Sequence, residues 1–512
     1  MPKLTINGRT IEVAAGTTLM DAARRLGIEI PTLCHAQGIR PLTSCMVCVV
    51  KETKGGKLMP SCSALAEEGM EIDTACEEVA AARRNVLEML LSEHVGDCEA
   101  PCRQICPASL DISAMMSRIA LGDHEGAARI AREQLTLPAT LGYVCSAPCE
   151  RGCHRAAKDS ALQIRELHRR MAEDAMGAIT PETEAPTGKR VAIVGASAAG
   201  LAAAFMLRKR GHACRVFDKA PVAGRIIREF AEDTLDPRVL DAEIAMIQRM
   251  GAEFQLNCEV GTDVSLDTLR RENDAVLITC DDLDASGEGI FTAVEFPMTV
   301  NAVAEGKAAA DQVIRCLAGL PSHRRVRAFN SQLGSLRPEE LDAFLTRLDP
   351  VHATKKTLIA TLLKAVLGKP FHKPSPIPNA PSLEDPREEA SRCLHCTCLK
   401  PVTCRLRRYA TEYAATQTVF RLAERSNVPA ASRFDDVVFE PGKCIRCGLC
   451  IEVGRASGEP NTMAFEGRGY SVRVKPPFEQ ELRVALASNA GRCVHVCPTG
   501  ALSFRQGEVH EA

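Results

Sequence analysis

The sequence predicts a multidomain chain, with α+β modules at its two ends flanking a helical segment and an α/β domain. Three observations carry this reading. The chain has 512 residues, too many for one core. From Val191 a strand, a glycine-rich turn and a helix follow one another, as in an α/β unit. The 24 cysteines fall mostly in short groups on either side of that unit. Hydrophobic content of 46% and charged content of 25% are ordinary for a globular protein. A net charge of −2, the absence of Trp and only 4% aromatic residues argue against nucleic acid as a partner. No apolar run reaches the roughly 18 residues of a membrane span, and no secretory leader is visible. A cytoplasmic location is therefore expected. Structural disulfides are rare in that compartment, which leaves metal ligation by thiolate as the leading explanation of the cysteines.

The elements follow in order. Residues 1–78 form a first module, whose start reads as two short strands joined at Asn7-Gly8, then a helix from Thr18 to Leu26. Residues 79–180 read as mostly helical, and Pro181 to Gly188 as a linker. The α/β domain occupies 189–320. Residues 321–390 carry a helical pattern and then a proline-rich connector from Lys369 to Pro386. A four-cysteine segment over 391–433 and a final module over 434–512 complete the chain.

In the first module Cys34, Cys45, Cys48 and Cys62 place three thiols on one loop and bring a fourth from further on. This arrangement suits a [2Fe–2S] centre; a zinc site would more often show two close pairs. Strand hairpin, helix and ligand loop resemble the order of plant-type ferredoxins, a β-grasp fold. The long first gap resembles the amino-terminal domain of the complex I 75-kDa subunit and its relatives in NAD-linked hydrogenases and formate dehydrogenases. Cys76 lies outside the pattern.

The helical segment holds Cys98, Cys102 and Cys106-Pro107, then Cys145, Cys149 and Cys153. The stretches Asp97 to Pro107 and Leu141 to Cys153 resemble the helical domain of dihydropyrimidine dehydrogenase and of the glutamate synthase small subunit. The resemblance implies two interlocked [4Fe–4S] clusters, one on Cys98, Cys102 and Cys153, the other on Cys106, Cys145 and Cys149. Each is one ligand short, since the family's fourth cysteine in the first stretch falls at Val95. His94 is the candidate there, because complex I-type relatives place a ligand His three residues before a Cys. His168 aligns with the family's non-cysteine ligand to the second cluster. The plainer alternative makes both ordinary histidines.

In the α/β domain Gly195, Ser197 and Gly200 form the turn, whose amides and helix start can hold a pyrophosphate. Asp218 ends the next strand, where a carboxylate can take a ribose hydroxyl. The domain resembles the FAD half of the glutamate-synthase-type reductases, with Gly224 and Glu295 at further cofactor positions. Ala223, Cys280 and Val294 replace glycines of that pattern. The NAD(P)H domain that the family inserts after the strand ending at Cys280 has no counterpart here, so the expectation is a truncated Rossmann-like FAD domain.

Cys393, Cys396, Cys398 and Cys404 can wrap a [4Fe–4S] cluster or a zinc ion, and the cluster is preferred. The last module resembles a bacterial-type ferredoxin, which implies one [4Fe–4S] cluster on Cys444, Cys447, Cys450 and Cys497. The second cluster of such ferredoxins would need Gly454, Ala487, Ala490 and Cys493, leaving Cys493 as a core thiol. The expected total is one [2Fe–2S], four [4Fe–4S] and FAD. With no catalytic constellation in view, the expected role is an electron-transfer subunit. Its partners would be an NADH-oxidising flavoprotein and a catalytic subunit of hydrogenase, formate dehydrogenase or acyl-CoA reductase type. The alternatives are a self-contained NAD(P)H-dependent flavin oxidoreductase and a scaffold with structural metal.

Overall fold

The computed structural model describes residues 1–280, 283, 286–293, 296, 298–321, 327–346, 383, 385–420, 426–459 and 461–505. The chain divides into two compact units. Unit 1 comprises Met1–Glu99, Arg327–Ala353 and Cys396–Ala512; unit 2 comprises Ala100–Val326 and Thr354–His395.

Unit 1 opens with strands β1 (Lys3–Ile6) and β2 (Arg9–Glu12), paired antiparallel through Asn7 and Gly8 at φ 48° and 77°. Both turn residues take positive φ, as a two-residue hairpin whose twist matches its strands requires. With β3 (Val49–Glu52), β4 (Leu58–Pro60) and β5 (Glu71–Asp73), they form one sheet in the order β2-β1-β5-β3-β4. The helix Leu19–Arg25 starts at Thr18, whose hydroxyl accepts from the amide of Asp21, and buries Leu19, Met20, Ala22 and Ala23. The expected β-grasp module is thus present. A long helix, Glu77–Ser92, follows.

Unit 2 begins with short helices, among them Pro101–Ile105, Ile112–Ala120, His124–Leu135, Pro138–Val144 and Ile164–Asp174. The five-stranded parallel sheet after them has β6 (Arg190–Val194), β7 (Ala213–Phe217), β8 (Glu253–Gln255), β9 (Ala275–Ile278) and β10 (Ile290–Thr292). Its order, β10-β9-β6-β7-β8, reverses direction between β6 and β9, the switch point where such sheets bind ligands. β6 and β9 are almost wholly apolar because helices cover both faces. The helices Ala198–Lys209 and Thr299–Leu317 pack against each other closely enough that a Cβ on Gly306 would lie 2.1 Å from the carbonyl oxygen of Ala199. Residues 181–188, read as a linker, form no helix or strand, yet the Glu184 amide is tied to the Lys209 carbonyl at 2.9 Å. Most of the proline-rich connector and part of the helical pattern before it lie outside the described residues.

The last part of unit 1 has a three-stranded antiparallel sheet of β11 (Ser432–Phe434), β12 (Val437–Phe439) and β15 (Leu502–Phe504). β13 (Ala464–Glu466) pairs with β14 (Arg473–Lys475), and the helices Leu449–Ala456 and Ala490–Val496 pack on each other. Among the described residues no helix is long and apolar enough to cross a membrane.

Candidate redox and nucleotide sites

In the first module the ligand loop closes on itself through residues in the left-handed region, Thr43 at φ 52° and Met46 at φ 54°. Cys34, Cys45, Cys48 and Cys62 are all buried. They pair off by hydrogen bonding: Cys45 lowers the Cys34 thiol to about 5, while Cys34 raises Cys45. Cys48 likewise lowers Cys62 and is itself raised. In each half one thiol is thus favoured as the thiolate over its partner. Such a donor set fits a group that accepts four thiolates, because metal loading releases the remaining protons.

In the final module Cys444, Cys447, Cys450 and Cys497 line one cavity together with Phe439, Leu449 and Leu502. Burial pushes the Cys444 thiol up to about 11 and raises Cys447 and Cys450 as well. Cys493, read as a core thiol, is 2% exposed and turns its Sγ to the carbonyl of Cys450 at 3.8 Å.

One local geometry recurs at three cysteines. The amide two residues on donates to the thiol, from Ala147 to Cys145 at 3.4 Å, from His395 to Cys393 at 3.5 Å and from Arg446 to Cys444 at 3.4 Å. In each case the donor residue is left-handed, at φ 50°, 41° and 55°. Hydrogen bonds to sulfur are one means by which a protein sets an iron–sulfur potential.

The remaining cysteines are divided between the two units. Cys98 lies in unit 1, whereas Cys102 and Cys153 lie in unit 2. Within unit 1 the Cys398 amide donates to the Cys98 carbonyl at 3.1 Å, and the Ser331 amide donates to the Cys98 thiol at 3.4 Å. Within unit 2 Cys106, Cys145 and Cys149 lie in one another's electrostatic field, and Cys393 lies in that of Cys153. The run from Cys393 to Cys404 is itself divided, after His395. Spacing along the chain missed this because it weighs only neighbours in sequence. Among the described residues no three His, Cys, Asp or Glu side chains meet closely enough to share a single ion.

His168 is buried and His94 half-buried, and desolvation holds both well below the usual imidazole range, at about 4. His168 Nδ1 faces the Pro138 carbonyl at 2.9 Å, the contact that fixes a ligand imidazole with its other nitrogen free. His94 Nδ1 is buried without a hydrogen-bond partner among the described residues. Val95, at the missing cysteine's position, binds the Gly442 carbonyl through its amide at 2.8 Å.

At the sheet's switch point Gly195 has φ 106°, and a Cβ on Gly200 would lie 1.9 Å from the Gly195 carbonyl oxygen. Both positions exclude any side chain. Ser197 caps the helix by accepting from the Gly200 amide, and its hydroxyl donates to the Thr279 carbonyl at 3.2 Å. Its side chain is therefore turned back onto the strand. Asp218 accepts from the amides of Ala196 at 2.5 Å and Ala220 at 2.8 Å, so it also holds the phosphate loop in shape. Gly224 starts a short helix at φ 72°. A cavity of about 270 Å³ opens there, lined among others by Gly195, Ser197, Asp218, Arg225 and Cys280. Glu295 and Val294 lie outside the described residues.

These segments define an iron–sulfur protein that also carries a nucleotide-binding Rossmann domain. Residues 2–77 match the model of a 2Fe-2S iron-sulfur cluster binding domain, and 75–179 that of dihydropyrimidine dehydrogenase domain II, 4Fe-4S cluster. Residues 193–250 match an NAD(P)-binding Rossmann-like domain. The NADP(+)-dependent formate dehydrogenase subunit beta of Moorella thermoacetica is 38% identical over 204 residues, 35% of this chain and 29% of the relative. The NAD-dependent dihydropyrimidine dehydrogenase subunit PreT of Escherichia coli K12 is 35% identical over 198 residues, 38% of this chain and 48% of the relative. The glutamate synthase [NADPH] small chain of Bacillus subtilis is 35% identical over 145 residues, 28% of this chain and 29% of the relative. The matches thus span less than half of each of these relatives.

Proposed function

We propose that the chain relays electrons within a multisubunit oxidoreductase, between an NADH-oxidising flavoprotein subunit and a catalytic subunit of hydrogenase, formate dehydrogenase or acyl-CoA reductase type. One observation carries this. A single hydrophobic core of unit 1 contains Cys34 and Cys45 of the first module together with Cys404 and Cys447 from the far end of the sequence. Thiols from separate candidate sites are thus packed in one dry interior. Buried clusters so placed pass single electrons, and a flavin exchanges two with a hydride donor.

The residues fit the groups they would hold. Cys34, Cys45, Cys48 and Cys62 would bind [2Fe–2S], and Cys444, Cys447, Cys450 and Cys497 a [4Fe–4S] cluster. Cys106, Cys145 and Cys149, with His168 as fourth ligand, would bind another. Gly195, Ser197, Gly200, Asp218 and Gly224 would hold the FAD pyrophosphate and ribose, with Glu295 contributing from outside the described residues. Between β9 and β10 only residues 279–289 intervene, which leaves no room for a second nucleotide domain.

Anaerobic purification followed by EPR during a dithionite titration tests the reading. Reducible [2Fe–2S] and [4Fe–4S] signals that NADH alone does not elicit are expected. Metal without any reducible signal would overturn it. The match of residues 193–250 to an NAD(P)-binding model favours a second reading, a self-contained NAD(P)H oxidoreductase. Reduction of the isolated chain by NADH or NADPH would select it.

A further inference from the structure

We propose that His94, Cys98, Cys398 and Cys404 hold one [4Fe–4S] cluster within unit 1, and that Cys393 instead serves a cluster of unit 2 alongside Cys153. This inference rests on the iron–sulfur reading above and redraws its ligand sets.

The backbone makes the first connection. The amide of Cys398 meets the carbonyl of Cys98 at 3.1 Å, so the two residues run side by side despite their distance in sequence. A second connection brings in Cys404. Arg407, whose amide donates to the Cys404 thiol at 3.5 Å, pairs through its guanidinium with Glu99, the residue after Cys98, at 2.5 Å. Cys98, Cys398 and Cys404 are thus tied to one region.

The surrounding atoms are arranged as around a ligated sulfur. Amides of Ser331 and Arg407 donate to the thiols of Cys98 and Cys404 at 3.4 and 3.5 Å. Gly500 lies so near Cys398 that a Cβ there would be 2.3 Å from its Sγ and 3.7 Å from Lys443 Cδ. Lys443 is 2% exposed, pairs with Glu440 at 2.5 Å and runs between Gly96, two residues before Cys98, and Gly500.

His94 supplies the fourth donor. Its Nδ1 is buried with no hydrogen-bond partner among the described residues, which costs free energy in a protein interior unless something else takes the lone pair.

Cys393 belongs elsewhere. It packs in the core of unit 2, where Cys102 and Cys153 lie against the same core. Its loop has the amide-to-sulfur bond and left-handed third residue found at Cys444. Such a loop presents a thiol as a ligand without requiring that Cys398 and Cys404 share the same metal.

Single serine variants of the full chain, compared by iron content and EPR, test the division. Cys98→Ser, Cys398→Ser and Cys404→Ser should each abolish the same [4Fe–4S] signal and about four irons per chain. Cys153→Ser and Cys393→Ser should abolish a different one, and the [2Fe–2S] signal should persist throughout as a check on folding. Loss of one common signal in Cys393→Ser and Cys398→Ser would overturn the division. So would loss of one common signal in Cys98→Ser and Cys153→Ser. His94→Cys should keep the cluster with altered g-values, while His94→Ala should lose it; an unchanged spectrum in both would remove His94 from the set. A chain without iron would sink the electron-relay reading itself, an outcome distinct from any of these.

Discussion

Lys307 Nζ donates to the carbonyl oxygen of Gln134 at 2.6 Å and to that of Ala108 at 3.2 Å. Burial lowers this lysine to about 8, opposed by the nearby Cys106. Its helix, Thr299–Leu317, follows directly on the nucleotide-binding sheet, so a positive charge from that domain sits close to a candidate cluster ligand. Such a charge favours the reduced, more negative state of a cluster. Lys307→Met should lower the midpoint potential of the cluster on Cys106 by tens of millivolts, about 59 mV for each tenfold change in the one-electron equilibrium. A redox titration followed by EPR measures it, and an unchanged midpoint would show the ammonium to be screened.

Glu243 is fully buried at the start of the helix Pro138–Val144, where its two oxygens accept from the amides of Ala139 and Thr140 at 2.9 and 3.0 Å. Desolvation outweighs these bonds and raises its carboxyl from 4.5 to about 7. The folded state therefore holds this proton more tightly than the unfolded chain. The contribution is fully present below about pH 4.5 and is lost as pH rises through about 7, on the order of 3 kcal/mol in all. Glu243→Gln should flatten the pH dependence of unfolding in that window. It should also cost roughly 1–3 kcal/mol at low pH, because an amide offers only one acceptor to two donors. Chemical denaturation at several pH values checks both.

Gly200→Ala places a methyl 1.9 Å from the Gly195 carbonyl oxygen. The helix start must then move away from β6, and the phosphate loop opens. Flavin or nucleotide retention should be lost, with destabilisation of about 1–3 kcal/mol. Released flavin and thermal unfolding report the two effects, and full retention would show that the turn does not carry the cofactor.

Cys493→Ala should leave the iron content unchanged, at a cost of roughly 1 kcal/mol for the small cavity. Cys497→Ala should remove about four irons. Equal iron loss in both would return Cys493 to the ligand set.

Much of the architecture was legible in the order of residues. Asn7-Gly8 dictates a hairpin through backbone sterics, Thr18 caps a helix, and the glycines at 195 and 200 mark the one place where strand and helix must touch. The turns around Cys45 and Cys444 to Cys447 were legible too, because a few residues in the left-handed region, Thr43, Met46 and Arg446, build them locally. Such features depend on a few consecutive residues, and short-range geometry is written directly in sequence.

The division of the middle cysteines between the two units was not. Cys98 and Cys102 are four residues apart, yet they belong to different units, and so do Cys393 and Cys398. Motif spacing treats a run of cysteines as one site, since closing a short loop costs little entropy. The fold overrides this. Arg407 spans to Glu99, Ser331 to the Cys98 thiol, and Arg155 to the carbonyl of Arg392, so neighbours in sequence are drawn into different interiors. The sequence by itself determined which side chains are available to bind metal and nucleotide. Which unit holds each thiol was decided only by long-range packing, whose apolar contacts and buried hydrogen bonds outweigh the small entropic advantage of nearness along the chain.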